Sequence, residues 1–390
     1  MTYTMRQARD IIDYAVMNPL PNGQHRVIYL EGDPGLGKTA LAHSVYAKYR
    51  RYKNETVKQD RYWRREDEIA LELQNGKGWE EVDNINFTGG FTHFVAYVAP
   101  ERDVTDWGLP FPSADRKNIA MLPLEDFDYK PGDRPFILLD EIDKAMQMMQ
   151  NVLGRVMHEQ RIGNIVFPAG TFVMAAGNKM SNRAGSVAAN THIKNRRTHV
   201  PVNCSATEWI EDVAIPWDLH WAVISYLRTD PEMIHKLDTN NPSFPSPRSW
   251  TKVASTLNDN IPSELGHVER ALIEGDIGVE TSNIFWGHLA ICRKIRPIEE
   301  FIANPDKIKT PRESKDDAWV AVTYAELSAL AKHATPKTVD AICRYFNRLD
   351  AEYAFCGYRD MLLRDKQMVL TSKAGMTWAT KNADMLIRTK

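Results

Sequence analysis

Cysteine is scarce in this chain of 390 residues: Cys204, Cys292, Cys343 and Cys356 are scattered, and none forms a C-x-x-C pair. That spacing argues against a zinc site and a disulfide framework and points to a reducing compartment. Net charge is nearly absent too. The 49 basic and 51 acidic residues leave −2, so no global field draws the chain to nucleic acid or to a membrane surface. No apolar run approaches the ~20 residues that span a bilayer. In place of a signal peptide, Ala8, Ile11, Ile12, Ala15 and Val16 mark one face of an amphipathic helix. Together these absences favour a cytoplasmic protein with no membrane association. No internal repeat or low-complexity tract is found. What remains is ordinary for a globular protein, 43% hydrophobic and 26% charged, and long enough for two or three domains with a real core.

One stretch is not ordinary. Gly32-Asp33-Pro34-Gly35-Leu36-Gly37-Lys38-Thr39 reads G-x-x-x-x-G-K-T and is followed by Ala40. Before it, Val27-Ile28-Tyr29-Leu30 is a short β-favouring run. After it, Leu41, Val45 and Tyr49 recur at helical spacing, to about Lys53. A strand, a glycine loop and a helix in that order form a phosphate cradle. Glycines let the backbone approach the anion, and successive N–H groups with the helix N-terminus supply positive potential. Lys38 can reach the β- and γ-phosphates of a nucleotide, and the Thr39 hydroxyl can ligate Mg²⁺.

Phe136-Ile137-Leu138-Leu139-Asp140-Glu141 is a buried strand ending in two carboxylates. Asp140 would hold Mg²⁺ through water and Glu141 would polarise the attacking water. Acids that merely cap the next helix are the competing reading. Phe172 to Asn178 is a further buried strand with a polar amide at its C-terminal end, where parallel sheets converge on ligands. Asn178 is thereby placed to meet a γ-phosphate or the attacking water; a turn asparagine is the plainer alternative. Met146, Met149, Val152, Leu153, Val156 and Met157 repeat at helical spacing and read as core. Gly163 to Thr171 reads as a hairpin turning near Pro168-Ala169-Gly170.

The long separation of Lys38 from Asp140 requires insertions. One candidate is the segment near 54–85, opening in the basic-aromatic stretch from Lys48 to Arg65 that includes Arg61, Arg64 and Arg65. It could contact nucleic acid, but the acidic run Glu66-Asp67-Glu68 that follows favours a solvated surface. The other is the Pro/Gly-rich segment near 103–126.

Beyond residue 204 the pattern turns helical. Trp217 to Leu227 is amphipathic. Ser246 is an expected N-cap with Pro247 in the first turn, and Trp250, Val253, Ala254 and Leu257 form the buried face. That puts Arg248 in a first turn, where the helix dipole disfavours a cation, and suggests a phosphate-reaching role; an exposed arginine tolerated there is the plainer alternative. Residues 304–317 are polar with two prolines and read as a linker. Helices are expected around 318–333, 336–348 and 351–365.

In this order the segments resemble an AAA+ ATPase of the MoxR-like branch. GDPGLGKT (32–39) looks like Walker A, FILLDEIDKA (136–145) like Walker B, and VMAAGN (173–178) like the sensor 1 strand, with Asn178 as sensor. NRAG (182–185) and IKNRR (193–197) resemble the family's finger region: Arg196 falls on the finger arginine, but Arg197 stands where the family has an aromatic, which leaves the finger to either Arg196 or Arg197. FPSPRSW (244–250) is similar to sensor 2, with Arg248 as its arginine. The resemblance implies a P-loop αβα sandwich on a parallel five-stranded sheet over residues 1–203. A helical lid over 204–303 and a linker with C-terminal helices over 304–390 would follow. It also implies ATP and Mg²⁺ as ligands and a homo-oligomeric ring, a hexamer by family habit, with the inserts near 103–126 and 161–171 turned to partners. The implied activity is ATP-driven remodelling of a partner, such as a von Willebrand factor A domain protein. A nucleotide-gated scaffold and a DNA-directed motor using the basic-aromatic insert are the alternatives.

Overall fold

The computed structural model describes residues 1–50, 90–101, 109–112, 117, 119–122, 129–162, 165–179, 195–239, 241–257, 266–315 and 317–383. They form two compact units, Met1–Asn203 and Cys204–Lys390.

The first unit is built on a six-stranded sheet. In chain order its strands are β1 (Tyr3–Thr4), β2 (Ile28–Glu31), β3 (His93–Val98), β6 (Pro135–Asp140), β9 (Phe172–Gly177) and β10 (Thr198–Asn203). Two small hairpins, β4 (Leu109–Pro112) with β5 (Ile119–Leu122) and β7 (Arg161–Ile162) with β8 (Ile165–Val166), lie outside it. The spatial order is β1-β10-β2-β9-β6-β3, and every neighbouring pair is parallel. Five longer strands match the number the resemblance implies, with β2, β6 and β9 on the apolar runs read from the sequence; β10 was not read there, and the two-residue β1 adds an edge. β9 is intercalated between the P-loop strand β2 and the carboxylate strand β6, with Ile28 opposite Met174 and Leu139 opposite Ala175.

Strands covered on both faces read as continuous apolar runs, and β6 and β9 are buried along their whole length. Helices α1 (Met5–Met17) and α2 (Lys38–Tyr49) flank the sheet, and α2 lies against β6 and β9. Phe94, Phe136 and Phe172 stack across three strands, with Tyr46 of α2 against the first two. Helix α3 (Gln147–Glu159) packs Met149, Leu153, Val156 and Met157 with Tyr29, Val95, Ile137, Leu139 and Val173. Thr4 starts α1 with a capping box to Gln7.

Several expectations change here. The α2 helix stops at Tyr49, because Arg50 is extended and bridges Phe91. Arg50 and Phe91, on either side of residues 51–89, are thus paired. The basic-aromatic residues from Arg51 to Arg65 lie outside the described residues, as do Arg183 and Lys194. Met146 is 78% exposed and precedes α3, so it is not core. The second insert contains the β4–β5 hairpin. In the other hairpin β7 pairs with β8, Arg161 opposite Val166, so its turn does not lie at Pro168-Ala169-Gly170. Pro168-Ala169-Gly170 forms a separate turn, with Gly170 at φ +85°, that feeds β9.

The second unit is helical: α4 (Ala206–Trp209), α5 (Trp221–Thr229), α6 (Pro247–Thr256), α7 (His267–Ile277), α8 (Val279–Cys292), α9 (Ile298–Ala303), α10 (Trp319–Lys332), α11 (Val339–Phe346), α12 (Ala351–Arg364), α13 (Lys366–Thr371) and α14 (Lys373–Lys381). The amphipathic segment expected from Trp217 begins as a helix only at Trp221. Ser246 caps α6 as expected, accepting from Ser249 N–H, and Trp250, Val253, Ala254 and Leu257 are buried. In the stretch 304–317, expected as a linker, residues 304–315 are turns held by side chains: Arg348 donates to Pro305 O and Ile308 O, and Arg296 to Lys309 O. Helix α10 lies against both α5 and α12, so the helices on either side of residues 304–317 share one unit.

Candidate active site

The parallel register brings the C-terminal ends of β2, β9 and β6 side by side. Each ends in a polar residue or a loop of the motifs above, and this shared edge is the site.

After β2 the chain turns through Gly35 and Gly37, at φ +81° and +94°. Gly37 immediately precedes α2, and a Cβ there would meet open space, so its backbone angle is what calls for glycine. Gly32 is different: a Cβ there would lie 2.6 Å from Val202 Cγ2 and 2.9 Å from Leu36 Cδ1, so close packing calls for glycine. No side chain caps the N-terminus of α2. Its first amides, carrying the positive end of the helix dipole, face the loop as an anion cradle.

Lys38 is buried, and its Nζ donates to Gly32 O at 2.8 Å, Asp33 O at 2.9 Å and Asn178 Oδ1 at 3.2 Å. Three neutral oxygens thus hold an ammonium at the mouth of the loop, an arrangement that suits a phosphate anion. Thr39 Oγ1 donates to Asp140 Oδ2 at 2.7 Å, and Asp140 Oδ1 accepts from Glu141 N–H at 2.8 Å. The hydroxyl and carboxylate are therefore together, as a Mg²⁺ site that takes its remaining oxygens from phosphate and water requires. No group of three or more His, Cys, Asp or Glu side chains suited to a metal occurs among the described residues.

Glu141 has a left-handed backbone, φ 53° and ψ 35°, and follows directly on β6. A non-glycine residue there stores strain, a common feature of functional positions. Its Oε1 accepts from Lys144 Nζ at 2.9 Å, with both side chains part-exposed.

The structure brings together Lys38, Thr39, Asp140 and Asn178 of the anticipated set, with Glu141 beside Asp140. Arg196 lies in the turn before β10 and makes no hydrogen bond or ion pair with the described residues. Arg197 places its guanidinium 3.5 Å from the centroid of the Tyr29 ring. Arg248 is exposed in the first turn of α6, in the second unit.

Three participants were missed. Asp143 is buried, and its Oδ1 accepts from Asn178 N–H at 3.0 Å, holding the backbone of Asn178 in place. Its signal was a third carboxylate in Asp-Glu-Ile-Asp. Lys179 Nζ donates to Asp33 Oδ2 at 2.8 Å, tying the β9 end to the loop. Tyr29 underlies the site. Nothing local marked these last two.

No family model matches the sequence, and no curated protein matches it. Among solved structures, a Cytophaga hutchinsonii protein described as a candidate ATPase is 14% identical over 90% of this chain and 78% of that one, with a TM-score of 0.30. The Thermotoga maritima RuvB Holliday junction branch migration motor is 12% identical over 78% and 75%, at 0.33. Hsp104, in a closed state with ATPγS and casein, is 11% identical over 74% of this chain and 46% of that one, at 0.32. Likenesses this distant carry no weight for function. The strand order and loop geometry themselves define a P-loop αβα fold, with a helical C-terminal unit.

Proposed function

We propose that this chain is a ring-forming AAA+ ATPase of the MoxR-like branch that couples ATP binding and hydrolysis to remodelling of a partner protein or complex. The observation that carries this reading is the convergence of Lys38, Asn178, Thr39 and Asp140 at one sheet edge, with Glu141 beside them.

Gly32 to Ala40 would bind the phosphates through loop amides, and Lys38 would reach the γ-phosphate. Thr39 and Asp140 would hold Mg²⁺, which when bound neutralises phosphate charge and orients its oxygens. Glu141 would accept a proton from the attacking water, once released from Lys144. Asn178, its backbone held by Asp143, would contact the γ-phosphate or that water. Arg248 would sense the γ-phosphate within the protomer. Arg196 would reach the nucleotide of a neighbouring copy. An arginine supplied in trans contributes ~10³–10⁵ in rate.

Assembly and activity should therefore rise together. ATP hydrolysis is measured against protein concentration, with mass photometry on the same samples and Arg196→Ala beside wild type. Activity per subunit should climb as rings form and collapse in the variant. Full activity in a monomer, indifferent to Arg196, would remove the ring mechanism.

One observation favours a second reading, a nucleotide-gated scaffold: the Glu141 carboxylate is already engaged by Lys144. Glu141→Gln separates the two readings. A variant that assembles on ATP and keeps its biological output would make assembly the output.

A further inference from the structure

Tyr29 is the second residue of β2, between Ile28 and Leu30, and its ring is buried in the core against α3. An aliphatic side chain would fill that core equally well. A tyrosine adds two contacts that an aliphatic cannot make.

The first is on the ring face. The Arg197 guanidinium carbon lies 3.5 Å from the ring centroid, close for a cation–π contact. His199, the register partner of Tyr29 on β10, stacks on the same ring at 5.6 Å and 20°. Its Nε2 lies 3.0 Å from Glu31 Oε2, and Thr198 N–H donates to Val27 O at 2.7 Å. The first residues of β10, and the turn before them, are thereby clamped to β2. Arg197 is engaged within its own chain, and Arg196 is the arginine of that turn left to reach outward.

The second contact is at the hydroxyl. A Cβ on Gly177 would lie 2.5 Å from Tyr29 Oη and 2.8 Å from Asp143 Oδ1, so the phenol tip rests against the floor beneath Asn178. One rigid side chain therefore touches both the end of β9 that bears Asn178 and the turn that bears Arg196.

We infer that Tyr29 and Arg197 are positioning residues that couple a protomer's own phosphate site to the arginine it presents to its neighbour. The inference rests on the ring-ATPase reading. A shift of Asn178 and Gly177 on nucleotide binding would displace the phenol, and the phenol would re-aim the turn through Arg197. Occupancy of one site would then set the rate at the next.

The test uses the full chain as wild type, Tyr29→Phe, Tyr29→Leu and Arg197→Leu. Four quantities are read: kcat, affinity for a fluorescent ATP analogue, the Hill coefficient for ATP, and ring assembly by mass photometry. Tyr29→Phe keeps the ring face but removes the hydroxyl that rests against Gly177, so its Hill coefficient should fall while its kcat loss stays smaller than that of the leucine variants. Tyr29→Leu and Arg197→Leu should lose roughly 3- to 30-fold in kcat, the span of a cation–π contact. Affinity and assembly should hold while the Hill coefficient falls toward 1. Wild-type kcat and cooperativity in both leucine variants would overturn the inference. So would losses of affinity and assembly in proportion to kcat, which mean a merely structural role. If Tyr29→Leu does not fold, Arg197→Leu, on the half-buried turn, decides alone. Wild type whose activity ignores assembly would instead remove the ring reading, and this inference with it.

Discussion

At the scale of single residues, Glu141 combines a strained backbone with the proposed catalytic carboxylate. The left-handed region costs an L-residue roughly 1–2 kcal/mol, a cost glycine avoids. Glu141→Gly should therefore raise the stability of the first unit by up to about 1 kcal/mol in urea titrations while abolishing hydrolysis. A stability loss would mean that the Lys144 pair outweighs the strain, contrary to the small worth of exposed pairs. The P-loop residues and the Asp140-Glu141 pair were legible in the sequence, because each motif is contiguous and its chemistry needs those residue types in that order. Asp143, Lys179 and Tyr29 were not, because each acts through a residue that only the fold brings near.

At the scale of elements, caps and buried faces followed from local pattern, as Ser246 and Trp250 in α6 illustrate. Buried histidines set the response to acid. His288 of α8 lies 2.7 Å from Ser225 Oγ, and burial pushes its pKa down from 6.5 to about 4. Burial also lowers those of His25 and His93. A depressed folded pKa means the unfolded chain binds the proton first. The stability these groups contribute is complete above about pH 6.5 and is lost as pH falls, for His288 until about pH 4. By linkage the His288 contribution is about 3 kcal/mol. His288→Gln keeps a hydrogen-bonding side chain without the proton. Its unfolding free energy should depend on pH less steeply than wild type between pH 6.5 and 4, by about one proton. An unchanged slope would show that His288 is not charged on unfolding.

At the scale of the whole molecule, the second unit is held together by pairs remote in sequence. Arg228 of α5 pairs with Asp360 of α12, both nearly buried, and Arg359 and Arg364 of α12 pair with Glu211 and Asp218. Removing one partner of a buried pair strands the other charge. Asp360→Ala should cost about 3–5 kcal/mol, and Arg228→Met with Asp360→Leu much less than either change alone. Asp350→Ala, which breaks the exposed pair with Arg312, should cost under about 1 kcal/mol. Denaturant midpoints compare them, and equal losses at both sites would refute the distinction. Chains cut after residue 303 should lose the cooperative unfolding of the second unit in urea titrations, since α10 and α12 complete that unit.

The sequence alone determined the phosphate loop, the apolar strands, the helix caps and the order of the motifs. These depend on interactions within a few residues, where spacing and residue type suffice. Only the tertiary structure decided that β9 lies between β2 and β6, that Lys38 therefore meets Asn178, and that Arg197 rests on Tyr29. It also decided that residues 204–390 form one unit. Strand order and helix partnership are settled by burial summed over segments far apart in the chain, and no local pattern encodes which distant face each will cover.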